Sequence, residues 1–210
     1  MRALVLGGKG FIGQALVERL DADGARVWSF DLADYDLTKG SPGFDAKWDV
    51  VYLLAATLGV DTVTSDPARV LRTNIRIVQN VLDWLPGKGE TLVFASTSEV
   101  YAESVRQGLA PVPTSEDVPL LAPVDSKRGA YAVSKLAGEC LVRHGHPRAV
   151  ILRYHNVYGP GQGRGSPGLT VPRRRWASAP MLISSSSFPT LTTCPGCWLA
   201  RSVPSTASSM

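Results

Sequence analysis

The sequence is poor in cysteine, in histidine and in long apolar runs. Its 210 residues include three cysteines and three histidines, too few for the disulfide framework of a small secreted domain. The longest apolar run, Val50 to Val60, is well short of the ~20 residues that a membrane-spanning helix needs. We therefore expect a protein of the reducing cytoplasm, with neither a membrane segment nor a signal peptide.

A strong charge of one sign is also missing. The formal net charge is +4, and much of the excess comes from the cluster Arg173 to Arg175. Such a cluster is weak evidence for a nucleic-acid surface and suits a small acidic ligand equally well, so no nucleic-acid partner is predicted. Because 44% of the residues are hydrophobic, the chain can bury one sizeable core, and a single domain is the simplest expectation.

Glycine is concentrated between the first predicted strand and the first predicted helix. Arg2 to Leu6 is a short apolar strand, and Gly7, Gly10 and Gly13 follow it directly. A strand, a glycine turn and a helix in this order are the context of a dinucleotide-binding site. Gly7 permits a tight turn, Gly10 lets the backbone approach a pyrophosphate, and Gly13 allows the helix to pack closely on the strand.

The start of that helix and the end of the next strand extend the predicted site. Phe11 and Ile12 begin the helix, whose free N–H groups and partial positive charge favour phosphates. Asp31 ends the second strand, where an acidic residue binds the adenosine ribose hydroxyls; a simple turn residue is the alternative. A carboxylate there repels a 2'-phosphate, which favours NAD over NADP. The connection after Asp31 is very short, so it can hold at most an abbreviated strand. Asp36, in this connection, either reaches the adenine edge or caps a turn.

The next predicted strand and helix are apolar. Trp48 to Ala56 is a near-continuous apolar run, as expected for a strand covered on both faces. Leu54 and Ala55 lie at its end, where small residues let a cofactor pass. A helix is predicted from Asp66 to Leu85 on its hydrophobic spacing and its N-terminal Asp-Pro pair. Asn74 lies inside this helix, a position where an amide is usually solvated.

Polar side chains follow another predicted strand, Thr91 to Ala95. The segment after it contains Thr97, Ser98 and Glu99. Ligands bind at the carboxyl ends of the strands in open parallel sheets, so these hydroxyls and this carboxylate are candidates for a site. An ordinary hydrophilic turn is the alternative.

Tyr131 and Lys135 are one helical turn apart on a predicted Ala/Leu-rich helix. At this spacing both side chains lie on the same face of the helix. A cation near a phenol favours the phenolate and lowers its pKa, which would make Tyr131 a base. Alone, such a pair is more often two surface residues. Helices alternate with strands along the chain, which predicts an α/β fold with a doubly wound parallel sheet.

With these motifs in order, the chain from Met1 to about Gly163 resembles the extended short-chain dehydrogenase/reductase family, specifically the NAD-dependent epimerases and dehydratases of nucleotide sugars. The resemblance rests on the motifs above and on the segment Leu152 to Pro160. It implies a Rossmann fold, NAD as the cofactor and a nucleotide-diphosphate sugar as the substrate. Many members of the family form homodimers through a helix pair that includes the Tyr/Lys helix.

The resemblance also implies roles for individual residues. Tyr131 would take the proton from the sugar C4 hydroxyl while hydride passes to the nicotinamide. Lys135 would hold the nicotinamide ribose and depress the pKa of the tyrosine, and Thr97 would hydrogen-bond the reacting oxygen. Asn74 would kink its helix, support a proton relay near the lysine and belong to the cofactor-binding residues.

The resemblance does not fix the net reaction, because members of the family catalyse different reactions after the first oxidation. Asn156 matches a residue that touches the substrate, often at its diphosphate, and Thr97 and Ser98 are also expected to contact the substrate. The triplet Thr97-Ser98-Glu99 is similar to the segment of UDP-glucuronate decarboxylases, and Ser98 argues against simple dehydration, since dehydratases usually carry an Asp-Glu pair there. Glu99 would then be a second acid or base. An epimerase or dehydratase is the leading prediction and a decarboxylase the alternative.

The composition changes after the last family motif. From Trp176 to Met210 the only charged residue is Arg201, and the pattern has neither helical nor strand period. We predict an NAD-binding domain over residues 1–165 and an irregular tail over 166–210, either disordered or translated out of frame from a point between about Gly163 and Arg175. A noncatalytic NAD-binding fragment is therefore a further alternative.

Cys194 and Cys197 form a C-x-x-C pair inside this tail. A zinc or redox site of this type needs a second ligand pair or a nearby histidine, and the sequence around it has neither. No metal site is predicted.

Overall fold

The structure is a computed structural model that describes residues 1–159 and 182–184. Its main sheet has five parallel strands in the order β2-β1-β3-β4-β5. The strands are β1 (Arg2–Leu6), β2 (Arg26–Phe30), β3 (Trp48–Leu53), β4 (Gly89–Thr97) and β5 (Ala149–Tyr154). The predicted doubly wound parallel sheet is confirmed.

Helices connect these strands and lie on both faces of the sheet. They are α1 (Phe11–Ala22), α2 (Val60–Ser65), α3 (Pro67–Trp84), α4 (Ala102–Arg106) and α5 (Gly129–Gly145). Two short 3-10 turns, Leu37–Lys39 and Ser98–Tyr101, follow β2 and β4. The helix predicted from Asp66 to Leu85 corresponds to α3, whereas α2 and α4 are too short for a hydrophobic period to reveal them.

The direction of strand order changes at β1. Leu6, the last residue of β1, pairs with Phe30 of β2 on one side and with Leu53 of β3 on the other. Open α/β sheets bind ligands outside the carboxyl ends of the strands at such a point. The connection from β2 to β3 contains the 3-10 turn Leu37–Lys39 and no strand, so the abbreviated strand that the sequence allowed is replaced by a turn.

Alternate residues along the strands point to two separate cores. Leu4, Leu6 and Phe94 pack with α3 and with Val142 of α5 on one face of the sheet. Val5 packs on the opposite face with residues of α1. The alternation follows from the two-residue period of a strand, and full burial of one such side chain contributes about 1.5–3 kcal/mol.

The start of α3 agrees with its sequence signals. The Asp66 side chain accepts a hydrogen bond from the Arg69 backbone N–H at 2.9 Å, and Pro67 occupies the first helical position. An acidic cap satisfies one of the free N–H groups of the first turn, and proline at the next position needs no N–H partner. The helix therefore begins where predicted, and Asn74 lies two turns into it.

A second, small sheet follows β5. Strand β6 (Asn156–Tyr158) pairs antiparallel with β7 (Leu182–Ser184), so three residues of the segment predicted as an irregular tail form a strand. The other predictions for the tail, including Cys194, Cys197 and the lost reading frame, lie outside the described residues. None of the helices in residues 1–159 combines the length and the apolar character that crossing a membrane requires.

Candidate active site

A cavity of about 510 Å³ lies at the carboxyl ends of β1, β2 and β3. The glycine turn after β1 and the segment after β3 form two of its walls, and one face of α3 forms another. The predicted cofactor residues that line it are Gly7, Gly10, Asp31, Asp36, Leu54 and Ala55. The position matches the point where the strand order reverses, which is where a dinucleotide is expected.

The glycine turn packs so tightly against neighbouring atoms that several of its positions have no room for a side chain. Gly7 has φ +93°, and a Cβ there would lie 2.6 Å from the backbone nitrogen of Ala55. At Gly13 a Cβ would overlap the carbonyl oxygen of Gly7. Gly8 is constrained as well, because a Cβ there would overlap the Ser29 hydroxyl. The role of Gly8 was not predicted, since the spacing of the glycine motif assigns no function to this position.

Gly10 is the least crowded glycine of the turn. A Cβ there would meet only the Gly7 carbonyl oxygen, at 3.3 Å. Gly10 is the N-cap residue of α1 and makes no side-chain cap, so the first turn of the helix presents its backbone N–H groups without a capping side chain. Phe11 and Ile12 form that first turn and are partly buried. This arrangement suits an anion at the helix N-terminus.

Asp31 follows β2 directly and faces the glycine turn. Its carboxylate accepts hydrogen bonds from the backbone N–H groups of Lys9, at 3.1 Å, and Leu32, at 2.8 Å. The Lys9 ammonium pairs with Asp34 at 2.7 Å. Asp31 therefore has the turn role that the sequence analysis held as the alternative, and it also lines the cavity. Its contact with a ribose stays a prediction.

Asp36 caps the 3-10 turn after β2. Its Oδ1 accepts hydrogen bonds from the Thr38 hydroxyl at 2.7 Å and from the Thr38 backbone N–H at 2.9 Å. These two bonds lower the pKa of the Asp36 carboxyl. The structure thus supports the turn-capping alternative, and Asp36 lines the cavity as part of that turn.

Several cavity residues were missed at the sequence level. Leu32, Tyr35 and Thr38 come from the turn after β2, and Arg69 and Thr73 come from α3. The last two are four residues apart and lie on one face of the helix. That spacing was visible in the sequence, but nothing local indicated that this face lines a cavity.

Helix α5 places Tyr131 and Lys135 beside the end of β4. The buried Lys135 ammonium donates a hydrogen bond to the Ala95 carbonyl oxygen at 2.7 Å. It lies 4.9 Å from the centroid of the Phe94 ring and 5.8 Å from that of the Tyr131 ring. Gly138 allows this close approach, because a Cβ there would lie 2.6 Å from the Phe94 ring. The two predicted catalytic side chains are therefore neighbours on one helix face.

The pKa of Tyr131 does not follow the expectation from the sequence. Burial and the negative charge of Glu99 raise the pKa of Tyr131 to about 12, although a nearby lysine was expected to lower it. The expectation is wrong for the protein alone, because spacing predicts neither the burial of the phenol nor the carboxylate beside it. Burial also lowers the pKa of Lys135 to about 8.

The buried Lys135 ammonium makes the stability of the fold depend on pH. The pKa of Lys135 is about 8 in the folded protein and about 10.4 in an unfolded chain, so folding favours the neutral amine. Above the unfolded pKa of about 10.4 the amine is neutral in both states, and the full stability of the fold is present. This part of the stability is lost as the pH falls from there through the folded pKa of about 8. We expect the midpoint of thermal unfolding of the wild type, relative to Lys135→Met, to fall by several degrees between pH 10 and pH 8.

The control for this expectation is Lys88→Met, which removes a more exposed lysine that pairs with Asp45. Thermal melts of the three proteins at pH steps from 7 to 10 provide the measurement. A wild-type midpoint that runs parallel to that of Lys135→Met over the whole range would contradict the expectation. Tyr131 is present in all three proteins, so its titration in the unfolded chain near pH 10 cancels from the comparison.

The polar segment after β4 lies next to this pair. The Thr97 hydroxyl oxygen accepts a hydrogen bond from the Glu99 backbone N–H at 3.2 Å. Thr97 is buried, Ser98 is partly buried and Glu99 is exposed. The segment is therefore an ordered 3-10 turn that brings a carboxylate close enough to act on Tyr131.

Asn74 is buried rather than solvated. Its side-chain oxygen accepts a hydrogen bond from the Thr57 backbone N–H at 2.7 Å, and its amide donates to the Thr57 carbonyl and to the Ser134 hydroxyl. The Ser134 hydroxyl in turn donates to the Tyr131 carbonyl at 2.7 Å. Asn74 therefore joins the segment after β3 to the helix that carries Tyr131, and its predicted contact with the cofactor stays a prediction.

Asn156, the predicted substrate residue, begins β6 and is exposed. Tyr131, Lys135, Thr97 and Asn156 all lie outside the residues that line the cavity. The predicted site thus consists of a cavity after β1 to β3 and a group of catalytic side chains after β4. Within the described residues, no three histidine, cysteine or acidic side chains are grouped so that they could hold a metal ion.

The residues at the cavity fit NAD. Gly7 and Gly13 let the turn pack tightly against neighbouring backbone, and Gly10, at the N-terminus of α1, lines the cavity without a side chain. The helix N-terminus is therefore open to a pyrophosphate. Asp31 offers a carboxylate at the position that binds ribose hydroxyls. A carboxylate at that position disfavours a phosphorylated ribose.

Comparisons with known proteins agree with this geometry. Residues 3–177 match the model of the NAD dependent epimerase/dehydratase family. The chain is 35% identical to a UDP-N-acetyl-alpha-D-glucosaminuronate decarboxylase of Bacillus cytotoxicus, over 82% of this chain and 59% of that protein. The family match over residues 3–177 includes both the glycine turn and the Tyr131–Lys135 pair.

Solved structures of several proteins are similar to the chain. A UDP-galactose 4-epimerase is 33% identical with a TM-score of 0.64, over 76% of this chain and 58% of that one. An NAD dependent NDP-hexosamine 5,6-dehydratase involved in tunicamycin biosynthesis is 29% identical with a TM-score of 0.65, over 77% and 57%. The chain thus spans 57–59% of the length of these three proteins. On the strength of the fold, the site and these matches, the chain belongs to the NAD dependent epimerase/dehydratase family.

Proposed function

We propose that this chain carries the NAD-binding and proton-transfer part of a nucleotide-sugar epimerase or dehydratase that transiently oxidises the sugar at C4. One observation carries the proposal: a glycine-lined cavity and the Tyr131–Lys135 pair occur at the same edge of one parallel sheet. A dinucleotide site alone would suit many functions. A buried phenol and ammonium at the same sheet edge add the means for proton transfer.

The cofactor residues act by shape and charge. Gly7 and Gly13 keep the turn narrow, and Gly10 gives a pyrophosphate access to the N-terminus of α1. Asp31 accepts hydrogen bonds from the adenosine ribose. The exposed Arg69, on the α3 wall of the cavity, offsets part of the negative charge of the pyrophosphate. NAD, when bound, supplies the hydride acceptor for the oxidation.

The residues after β4 and on α5 move and hold protons. The Tyr131 oxygen, as the phenolate, takes the proton of the sugar C4 hydroxyl. Because its pKa is about 12 in the protein alone, the phenolate needs a positive charge nearby, and the Lys135 ammonium is the group in place to supply it. The Thr97 oxygen accepts one hydrogen bond from Glu99 and still has its own proton to donate to the reacting oxygen.

The proposal is tested with the purified chain, NAD and a panel of UDP-, GDP- and dTDP-sugars. Calorimetry measures NAD binding, and absorbance of the reduced nicotinamide measures oxidation of the sugar. We expect NAD binding and reduction with at least one sugar class. Binding without reduction by any sugar would favour the noncatalytic NAD-binding fragment, and failure of both would overturn the proposal. The mass of the chain in solution checks the predicted homodimer in the same samples.

A decarboxylase is the second candidate. Two observations favour it: the Thr97-Ser98-Glu99 segment and the 35% identity to a decarboxylase of a nucleotide-linked uronic acid. Glu99 is exposed and acts electrostatically on Tyr131, so it is in position to serve as a second acid or base. Mass spectrometry of the products separates the candidates, because a uronic acid substrate would lose carbon dioxide while a neutral sugar would keep its carbon skeleton.

A further inference from the structure

A buried ion pair joins α5 to β5 behind the Tyr131–Lys135 pair. Arg153 donates from Nε to one Glu139 carboxylate oxygen at 2.9 Å and from Nη2 to the other at 2.7 Å. The Ser96 hydroxyl donates a short hydrogen bond to the same carboxylate. Only 6% of the Glu139 side chain and 16% of the Arg153 side chain are exposed. The carboxylate is therefore bound from three directions by groups on β4 and β5.

The guanidinium of Arg153 also holds the segment after β4. Its Nη1 donates a hydrogen bond to the Tyr101 hydroxyl oxygen at 2.7 Å, and the guanidinium lies 5.0 Å from the centroid of the Tyr101 ring. A weaker bond from Nη1 reaches the Glu116 carbonyl at 3.4 Å. Tyr101 ends the 3-10 turn that contains Glu99. Arg153 thus contacts both the catalytic helix and the turn that faces it.

The spacing of these residues relates the ion pair to the catalytic side chains. Glu139 lies four residues after Lys135 and eight after Tyr131, so all three lie on one side of α5. Ser96 immediately precedes Thr97 and pairs directly with Arg153 across β4 and β5. The Arg153 guanidinium is therefore bonded to α5 through Glu139 and to the turn after β4 through Tyr101, while the Arg153 backbone pairs with β4 at Ser96.

We propose that Arg153, held by Glu139 and Tyr101, is a positioning residue that fixes the helix bearing Tyr131 and Lys135 against the end of β4, which bears Thr97, and the following turn, which bears Glu99. The inference rests on the proposed roles of those four residues. It goes beyond them because Arg153 touches no proposed substrate or cofactor group and acts only through Glu139 and Tyr101.

Stabilisation of the fold explains the Glu139–Arg153 ion pair less well than a positioning role does. A buried ion pair costs desolvation that roughly offsets its attraction, and apolar replacements of the whole pair are often neutral or stabilising. The Glu139 hydrogen bonds raise the pKa of Arg153 further above its ordinary value, so the guanidinium stays charged at every working pH. A permanent charge with planar, fixed donors suits the task of setting the relative position of several elements.

The test measures whether the influence of Glu99 on Tyr131 depends on Arg153. The protein is labelled with 3-fluorotyrosine, and the fluorine resonance of Tyr131 is assigned by its loss in Tyr131→Phe. Glu99→Gln is then made in the wild type and in Glu139→Gln/Arg153→Met, which removes both charges of the pair and leaves an acceptor for Ser96. We expect Glu99→Gln to shift the Tyr131 resonance in the wild type, and the shift to fall by about half or more in the double variant.

The matched control is Glu103→Gln/Arg106→Met, the same two changes in the ion pair of α4, whose arginine side chain is 67% exposed; this variant should leave the shift intact. Tyr101→Phe is the milder second variant, to be used if the double variant does not fold; it removes one hydroxyl and should also reduce the shift. If the double variant folds and its shift is undiminished, the proposal is overturned. If the double variant does not fold, an undiminished shift in Tyr101→Phe overturns it instead. Neither NAD nor a sugar is present, so this outcome is separate from success or failure of the proposed function.

Discussion

Tyr131→Phe is expected to lower the rate of sugar oxidation by roughly 10²–10⁴-fold, the usual contribution of a positioned general base. The substitution removes only the hydroxyl oxygen that accepts the C4 proton and keeps the ring that lies beside Lys135. Because the cavity residues are unchanged, the affinity for NAD should stay within about twofold. Single-turnover reduction of NAD by the sugar found active in the panel measures the rate, and calorimetry measures the affinity.

The matched control is Tyr52→Phe, the same loss of a hydroxyl at a buried position on β3 that is not among the cavity residues. It should oxidise the sugar at the wild-type rate. If Tyr131→Phe kept most of the activity, another group would have to be the base. If it lost NAD binding together with activity, the substitution would have disturbed the fold or the cofactor site instead.

The raised pKa of Tyr131 gives this experiment a pH dependence with a defined sign. At a pKa of about 12, the phenolate fraction grows as the pH rises, so the oxidation rate should rise with pH until it levels off above about pH 8, where Lys135 loses the positive charge that supports the phenolate. Glu99 contributes to the raised pKa, and Glu99→Gln should therefore move the rising limb of the profile to lower pH. This shift is expected if Glu99 acts only through its charge, whereas a loss of rate at all pH values would indicate direct participation of Glu99.

Local motifs in the sequence predicted the parts of the site whose geometry is local. The turn at Gly7, the cap of α3 by Asp66 and the helix face shared by Tyr131 and Lys135 each depend on residues within a few positions of one another. Backbone geometry of a turn or helix fixes such relations without tertiary contacts. The structure agrees with the sequence at all three places.

Contacts between distant elements were not predictable in the same way. Glu139 and Arg153 are separated by 14 residues and lie on different elements, and nothing near either residue indicates its partner. The pKa of Tyr131 was mispredicted for a related reason, since the spacing gives the neighbouring lysine but not the burial of the ring or the charge of Glu99. Arg69 and Thr73 likewise become cavity residues only once α3 packs beside β1.

Gly13→Ala is expected to reduce both the stability of the fold and the binding of NAD. The new Cβ would overlap the Gly7 carbonyl oxygen and lie 2.7 Å from the Gly8 Cα. Alanine gains about 1 kcal/mol of helix propensity over glycine, but overpacking typically costs 1–3 kcal/mol. Both crowded atoms belong to the backbone of the turn, so relief requires the whole turn to move away from α1. We therefore expect the overpacking cost to exceed the propensity gain.

Gly10→Ala separates the two effects of this turn. Its Cβ would lie 3.3 Å from the Gly7 carbonyl oxygen and meet nothing else within 4 Å, so the free energy of unfolding should change by less than about 1 kcal/mol. The methyl group would nevertheless stand at the N-terminus of α1, where a pyrophosphate must approach, and each 1.4 kcal/mol of lost interaction weakens binding about tenfold. Denaturant unfolding and calorimetry with NAD should therefore show Gly13→Ala impaired in both measurements and Gly10→Ala impaired only in binding. Equal NAD affinity in Gly10→Ala and the wild type would mean that the phosphates do not pass over this residue, and the glycine turn would then serve only the packing of α1 against β1.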